Sequence, residues 1–390
     1  MFSSESRKKF SFLRVFWSLA LILFAALVTP PVRLFFFSHL GRWMYIFLMA
    51  FSTAAVLTPL MMFVASRAGI VDAPGGRKIH TRITPLLGGV AIIVSFISAL
   101  LANMILDARD VALVAGGGVV AAAGVIDDWK GLPARYKLLI QVCVVVVLIR
   151  SGIILDLLPA QTAWGYLLNA ALSIVWVVGL TNAMNFIDGM DGLATGVSAI
   201  MALFMGIVAF QTDQPFMGWI AIAMLGSCLG FLPFNFSPQK SRPASIFLGD
   251  AGSTFCGFVL AALAIKAHWA DNDPIVSFST PILIFWVLIY DMAYISVERI
   301  VTGKVKNFQD WIDYVGTDHI HHRLLAVFGD RRKVVLFLFF LCATLGISAI
   351  TLRGASTIDG ILTVVQAFLI TVIVSILEYS GRNNRNGIHS

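Results

Sequence analysis

Charge is scarce in this 390-residue chain: Asp, Glu, Lys and Arg make up 13% of it, about half the share an ordinary soluble domain carries. Apolar residues make up 58%, more than a soluble fold can hide while coating itself with charge. A water-soluble enzyme, a disordered chain and a fibre are excluded together. Cysteine is sparse as well. Cys143, Cys228, Cys256 and Cys342 lie singly inside apolar stretches, so neither a disulfide framework nor thiolate metal spacing is present, and they read as packing residues.

What fills the chain is a succession of apolar runs of about 20 residues, the length that crosses a bilayer as helix. Only helices satisfy their backbone groups within one lipid-facing segment. The expected fold class is therefore all-α, a polytopic transmembrane bundle of about 11–12 spans. The runs lie at 12–30, 43–66, 87–106, 111–126, 136–150, 165–181, 193–211, 216–234, 252–268, 277–297, 334–351 and 360–378. The run 111–126 carries Gly116, Gly117, Gly118 and Gly124 and is helical only if packed closely against neighbours. The first run follows Arg7, Lys8, Lys9 and Arg14, no small-x-small cleavage site succeeds it, and Thr29-Pro30-Pro31 reads as a helix end. A retained anchor is expected over 1–42, a catalytic membrane domain over 43–380 and a tail over 381–390.

Basic residues fix the orientation. With twelve alternating spans, all but six of the 28 Lys and Arg residues fall on one side; Arg33, Arg42, Arg109, Arg150, Lys266 and Arg353 form the other set. The positive-inside rule places the richer side in the cytoplasm, and every long polar loop lies there. The net charge of +7 is thus an orientation signal that also favours anionic lipid and phosphorylated substrates. No nucleic-acid partner is expected.

Four of these inner loops hold the candidate chemistry. The first, Val71-Asp72-Ala73-Pro74-Gly75-Gly76-Arg77-Lys78-Ile79-His80, offers Lys78 and His80 as phosphate donors, although a plain basic juxtamembrane loop looks alike. The second ends in Asp127-Asp128-Trp129-Lys130 with Lys137 nearby. Adjacent acids at a helix C-terminus face an unfavourable dipole and raise each other's pKa, so they call for a cation or a transferable proton. The third runs Asn182-Ala183-Met184-Asn185-Phe186-Ile187-Asp188-Gly189-Met190-Asp191-Gly192 without a basic residue. Its Asn185, Asp188 and Asp191, three apart, can converge on a hard cation or a ligand, or simply cap helices. The fourth places Asp250 between glycines before a span, where it suits an N-cap or a cation equally.

The largest inner loop, 298–333, contains Asp318-His319-Ile320-His321-His322-Arg323. Its basic surroundings and lack of Cys disfavour zinc and fit an oxyanion better. Asp291, inside a span, is a functional group by default, but Arg299 about two turns on makes a structural contact an equal reading. Acids for a cation, basic groups for phosphates and a bilayer to deliver a greasy co-substrate point to phosphoryl transfer between a cytoplasmic phosphate ester and a lipid phosphate.

Taken together, Asp127-Asp128, the 182–194 segment, Phe247-Leu248-Gly249-Asp250-Ala251-Gly252-Ser253 and His319-Ile320-His321-His322-Arg323 resemble the polyprenyl-phosphate N-acetylhexosamine-1-phosphate transferases over about 70–380. The His motif is similar to that of the bacterial undecaprenyl-phosphate GlcNAc-1-phosphate transferases of O-antigen, enterobacterial-common-antigen and teichoic-acid synthesis, and less like the peptidoglycan translocases. The resemblance implies transfer of N-acetylhexosamine 1-phosphate, most simply GlcNAc 1-phosphate, from a UDP-N-acetylhexosamine to undecaprenyl phosphate with release of UMP. This would initiate cell-surface polysaccharide synthesis at the bacterial inner membrane, with Mg²⁺ (or Mn²⁺) as cofactor. By matching position it implies Asp250 and Asn185 at the metal, and Asp191 at the nucleotide base with Asp188 and Asn182 in the same pocket. Lys137 would hold the lipid phosphate, and His319, His321, His322 and Arg323 the sugar or diphosphate. Asp127 or Asp128 would deprotonate or orient the lipid phosphate, directly or through a covalent intermediate. A homodimer is carried as an expectation. The resembling family has ten or eleven spans, so twelve puts the N-terminal topology in question. An ion-coupled transporter predicts acids near the midplane, whereas these lie at inner helix ends. Another Mg-dependent lipid-phosphate transferase, such as a prenyltransferase, leaves the Asn-rich loop and the His cluster without a purpose.

Overall fold

Lipid offers backbone amides no partner, and the apolar runs answer by becoming helices. The computed structural model describes residues 4–73, 83–105, 107–236, 243–269, 274–314, 316, 318–352 and 354–386. Helix α1 (Ser4–Leu27) leads into α2 (Pro30–Phe35), which continues as a π-helical turn over Phe36–Leu40, and then α3 (Arg42–Ala68). A two-stranded antiparallel ribbon, β1 (Val71–Asp72) with β2 (Thr84–Pro85), precedes α4 (Gly88–Asn103), α5 (Ala108–Lys130) and α6 (Ala134–Arg150). Next come α7 (Ala163–Ile187), α8 (Leu193–Gln211), α9 (Pro215–Asn235) and α10 (Gly249–Lys266). The rest comprises α11 (Pro274–Ile284), α12 (Trp286–Val301), α13 (Phe308–Asp313), α14 (Ile320–Phe328), α15 (Arg331–Ile350) and α16 (Thr357–Asn386).

All twelve apolar runs are helical, and the fold is a polytopic all-α membrane protein. Among the described residues seven helices are long and apolar enough to cross a membrane alone, or up to nine if each bent pair is one span. The remaining three runs are α4, α6 and α10, of 16, 17 and 18 residues. One bent pair, 82° at Thr29-Pro30-Pro31, is the expected first anchor and its connection. The other, 77° between α11 and α12, falls inside the run 277–297 expected as one span. Pro281 withholds a backbone donor one turn before that break.

Helix α10 is the centre of the bundle: every residue from Ala251 to Ala264 is buried. It packs on α4, α5, α7 and α8. Inside a bilayer lipid is as apolar as leucine, so close packing and polar links hold helices together. Small residues recur along α10 accordingly, and Trp176 of α7 donates its indole N–H to the Ala261 carbonyl at 3.2 Å. At one end of α10, Lys266 pairs with buried Asp110 and lies 3.6 Å from Asp107. Asp107 and Asp110 also form the capping box that starts α5.

At the other end α10 enters the angle between α4 and α5. A Cβ placed on Gly124 of α5 would come within 2.6 Å of the Ala251 nitrogen and 2.5 Å of its Cα. Backbone there cannot yield as a flexible side chain can. Gly124→Ala is therefore expected to lower the melting temperature of the detergent-solubilised protein, at a cost of about 1–3 kcal/mol, as thermal unfolding by tryptophan fluorescence would report.

Candidate active site

The beginning of α10 needs acceptors for its first amides, and Asp128 supplies them from the last turn of α5. Its carboxylate takes the Asp250 N–H at 2.9 Å and the Ala251 N–H at 3.2 Å. An acid unfavourable at the C-terminus of its own helix thus sits at the N-terminus of another. The approach requires glycine: Gly249 has φ +76°, and a Cβ there would stand 2.5 Å from the Leu86 carbonyl and 2.6 Å from an Asp128 oxygen.

The neighbouring acid faces elsewhere. Asp127 accepts from Lys137 Nζ at 2.5 Å and from the Leu132 N–H at 2.5 Å. The same ammonium reaches Asp250 at 3.0 Å, so Lys137 bridges α5 and α10 from α6. Asp188 ends α7 as its C-cap. Asp191 accepts the Ala244 N–H at 2.8 Å, which ties the third loop to the fourth. The fourth loop is fixed in turn by β2, where the Phe247 N–H donates to the Pro85 carbonyl at 2.9 Å, and by Asn235, which donates to the Ile246 carbonyl at 3.0 Å.

These elements enclose a cavity of about 320 Å³ whose lining includes Asp72, Asp128, Asp188, Asp191, Asp250, Asn235, His322 and Arg331. Four acids named from the sequence therefore share one cavity at one end of the bundle. Desolvation by the surrounding protein, reinforced by Asp250 and Asp128, pushes the pKa of Asp188 well above the usual carboxylate range. Asp127 faces Lys137, outside the lining, and among the described residues no group of three His, Cys, Asp or Glu stands ready to hold a metal. A magnesium-type ion asks less: it takes one or two protein carboxylates and fills its shell with water and phosphate oxygens. The hard oxygens and excess negative charge of this cavity fit such an ion, with Asp250 and Asp128 on its wall.

Other named residues lie at varying distances from the cavity. Asn185 donates to Ser253 at 3.0 Å. Asn182 donates to Gln141 at 2.6 Å and to the Val178 carbonyl at 2.7 Å, joining α7 to α6. Lys78 and His80 fall outside the described residues. Of the His cluster, His322 lines the cavity. His321 is buried behind it, where burial first, then His322, His319 and Arg323, drives its pKa well below the ordinary imidazole value. His319 and Arg323 engage Asp291, and Arg323 also engages Glu378.

The contact with Arg299, one of the two readings the sequence offers for Asp291, does not form. Residues two turns apart on one helix are about 12 Å apart along its axis. Arg299 instead makes a two-point pair with Asp318 at 2.7 and 2.8 Å. Four residues of the site were not singled out. Asp72 and Asn235 sit in turn-like sequence with no spacing signal, Arg331 reads as one of many loop cations, and Glu378 lies in an apolar run far from the other motifs.

Residues 110–268 match the family described as glycosyl transferase family 4. The chain is 31% identical over 318 residues to a probable undecaprenyl-phosphate N-acetylglucosaminyl 1-phosphate transferase of Bacillus subtilis (strain 168), covering 80% of this chain and 85% of that protein. It is 31% identical over 343 residues to a decaprenyl-phosphate N-acetylglucosaminephosphotransferase of Mycolicibacterium smegmatis, 78% of this chain and 80% of the relative. To an undecaprenyl-phosphate alpha-N-acetylglucosaminyl 1-phosphate transferase of Escherichia coli (strain K12) it is 28% identical over 315 residues, 75% and 81% of the two chains.

The raised pKa of Asp188 has a sign that can be checked. Its contribution to stability is full below the unfolded value near ~3.9 and is lost as pH rises through the higher folded value. Asparagine cannot ionise, so in divalent-free buffer Asp188→Asn should melt about 2–4 °C higher than the parent at pH 8. The gain should vanish as pH falls toward 4, which parallel thermal melts across that range would show.

Proposed function

Since the chain belongs to the polyprenyl-phosphate N-acetylhexosamine-1-phosphate transferase family, we propose that it transfers GlcNAc 1-phosphate from UDP-GlcNAc to undecaprenyl phosphate. The observation that carries this reading is the single cavity lined by Asp128, Asp188, Asp191 and Asp250, with Lys137 bridging to Asp250 at its edge. It suits a reaction in which two phosphorylated substrates meet and little is asked of the protein beyond positioning and charge.

In this reading an oxygen of the lipid phosphate attacks the sugar-bearing phosphorus of the donor. The bond to the bridging oxygen breaks, and UMP leaves with that oxygen. A phosphate monoester is largely ionised at pH 7, so no strong base is required, and direct attack is favoured over a covalent aspartyl intermediate. Lys137 holds the lipid phosphate, and Asp127 holds Lys137. Asp128 keeps the start of α10 in place and orients the reacting oxygens from the cavity wall. Asp191 and Asp188 receive the nucleoside, with Asn182 steadying their segment. His322 reaches the sugar or diphosphate directly, with His319, His321 and Arg323 behind it, and Lys78 and His80 are further donors to the phosphates. Asp250 and Asn185 would hold Mg²⁺, or Mn²⁺, which would supply charge neutralisation at the diphosphate. The site faces the cytoplasm of the bacterial inner membrane, where UDP-sugars are made, and the product starts a cell-surface polysaccharide.

Purified protein given UDP-GlcNAc and undecaprenyl phosphate is expected to release UMP only when lipid and millimolar Mg²⁺ are both present. Silence with every UDP-N-acetylhexosamine would refute the assignment. Asp250→Asn should lower kcat by about 100-fold or more, and a variant of normal activity in millimolar Mg²⁺ would remove Asp250 from the metal.

A further inference from the structure

Asp291 belongs to α12, which contributes nothing to the cavity lining, and it is 4% exposed. A carboxylate so deep is costly unless its oxygens are matched. Here Oδ2 lies 2.8 Å from His319 Nδ1, while Oδ1 accepts the Ile320 N–H at 2.6 Å and the Arg323 guanidinium at 3.3 Å. All three partners open α14. His319 is the N-cap residue of that helix yet makes no side-chain cap of its own. Asp291 therefore caps α14 from outside, with negative charge at the positive helix end.

Arg323 extends the arrangement. Its Nε donates to Glu378 of α16 at 2.9 Å, and Nη1 donates to the Asp318 carbonyl at 2.6 Å. From His319 the imidazoles continue to His321 and then to His322, with ring centres 6.1 and 4.2 Å apart, and the last of these lines the cavity. Phe186, two residues before Asp188, packs on the other side of His319 at 5.1 Å. Both ring nitrogens of His321 and Nη2 of Arg323 are buried without a partner among the described residues. Well-packed apolar residues would hold these helices at least as firmly, so a purely mechanical role leaves the buried charges unexplained.

We propose that Asp291 is a positioning residue for the transfer reaction: by fixing the ring of His319 and the first turn of α14, it sets where the imidazoles meet the donor. Glu378 does the same for Arg323, which makes α16 a working part of the site. The proposal rests on the reading that this cavity receives a UDP-sugar.

Asp291→Asn retains an oxygen for the Ile320 N–H and loses the charge and the second acceptor that hold His319. It is expected to raise KM for UDP-GlcNAc about tenfold, the lower end of what outer-shell partners contribute. KM for undecaprenyl phosphate should stay near the parent's. Glu378→Gln should move the same constant in the same direction. The double variant Asp291→Asn/His319→Gln should bind the donor no worse than the weaker single variant, because one residue acts through the other. An unchanged donor KM in Asp291→Asn, or losses that add in the double variant, would overturn the proposal. If the parent released no UMP, the transferase reading would fail on its own, and calorimetric Kd values for UDP-GlcNAc in the same variants would decide the positioning role. A parent that does not bind UDP-GlcNAc at all overturns it as well.

Discussion

Two backbone amides at the head of α10 meet one carboxylate at the foot of α5, and the site is arranged around that contact. Asp128 joins the helices through the Asp250 and Ala251 N–H groups, and the approach exists because Gly249 and Gly124 leave room for backbone to touch backbone. A charge in this position compensates a helix terminus that would otherwise be buried with open donors. It also places Asp250 within reach of Lys137, so a packing contact becomes an electrostatic one. The opposite end of α10 is secured similarly, by Lys266 against Asp110. The central helix is thus fixed at both ends by ionic contacts while its middle is entirely apolar.

The loops repeat the pattern at smaller scale. Asp191 takes an amide of the fourth loop, Asn235 donates to a carbonyl of the same loop, and the Phe247 amide joins the edge of the ribbon. Asp128, Asp191 and Asn235 are each held by a backbone group from a different part of the sequence. Loops without regular structure acquire a fixed form in this way, since buried backbone groups must find partners.

The parts of this architecture that could be read from the sequence are those set by local chemistry. The run 193–211 became α8 with the same limits, because uninterrupted apolarity between turn residues defines a helix without help. The Gly-rich run 111–126 became the longer α5, Ala108–Lys130, since packing on α10 extends a helix that intrinsic propensity would cut short. Four of the five acids of the cavity were legible because acids clustered at helix ends stand out in an apolar chain. The break between α11 and α12 was not, as one Pro inside an apolar run is common in membrane helices. Nor were the partners of Asp291: pairing across helices depends on how they rotate against each other, and linear spacing carries no record of it.

The tie between Arg323 and Glu378 spans 55 residues of sequence. During synthesis the guanidinium is made well before its second counter-charge, when Asp291, the Asp318 carbonyl and the Tyr294 ring are the partners already present. Helix α16, whose apolar window is only 22% buried, is joined to the rest through Glu378, through Ser375 against Tyr290, and by packing on α11 and α14. Arg323 has both its carboxylates only once α16 is in place, so the setting of the histidine segment depends on a helix whose apolar window is mostly unburied in the bundle.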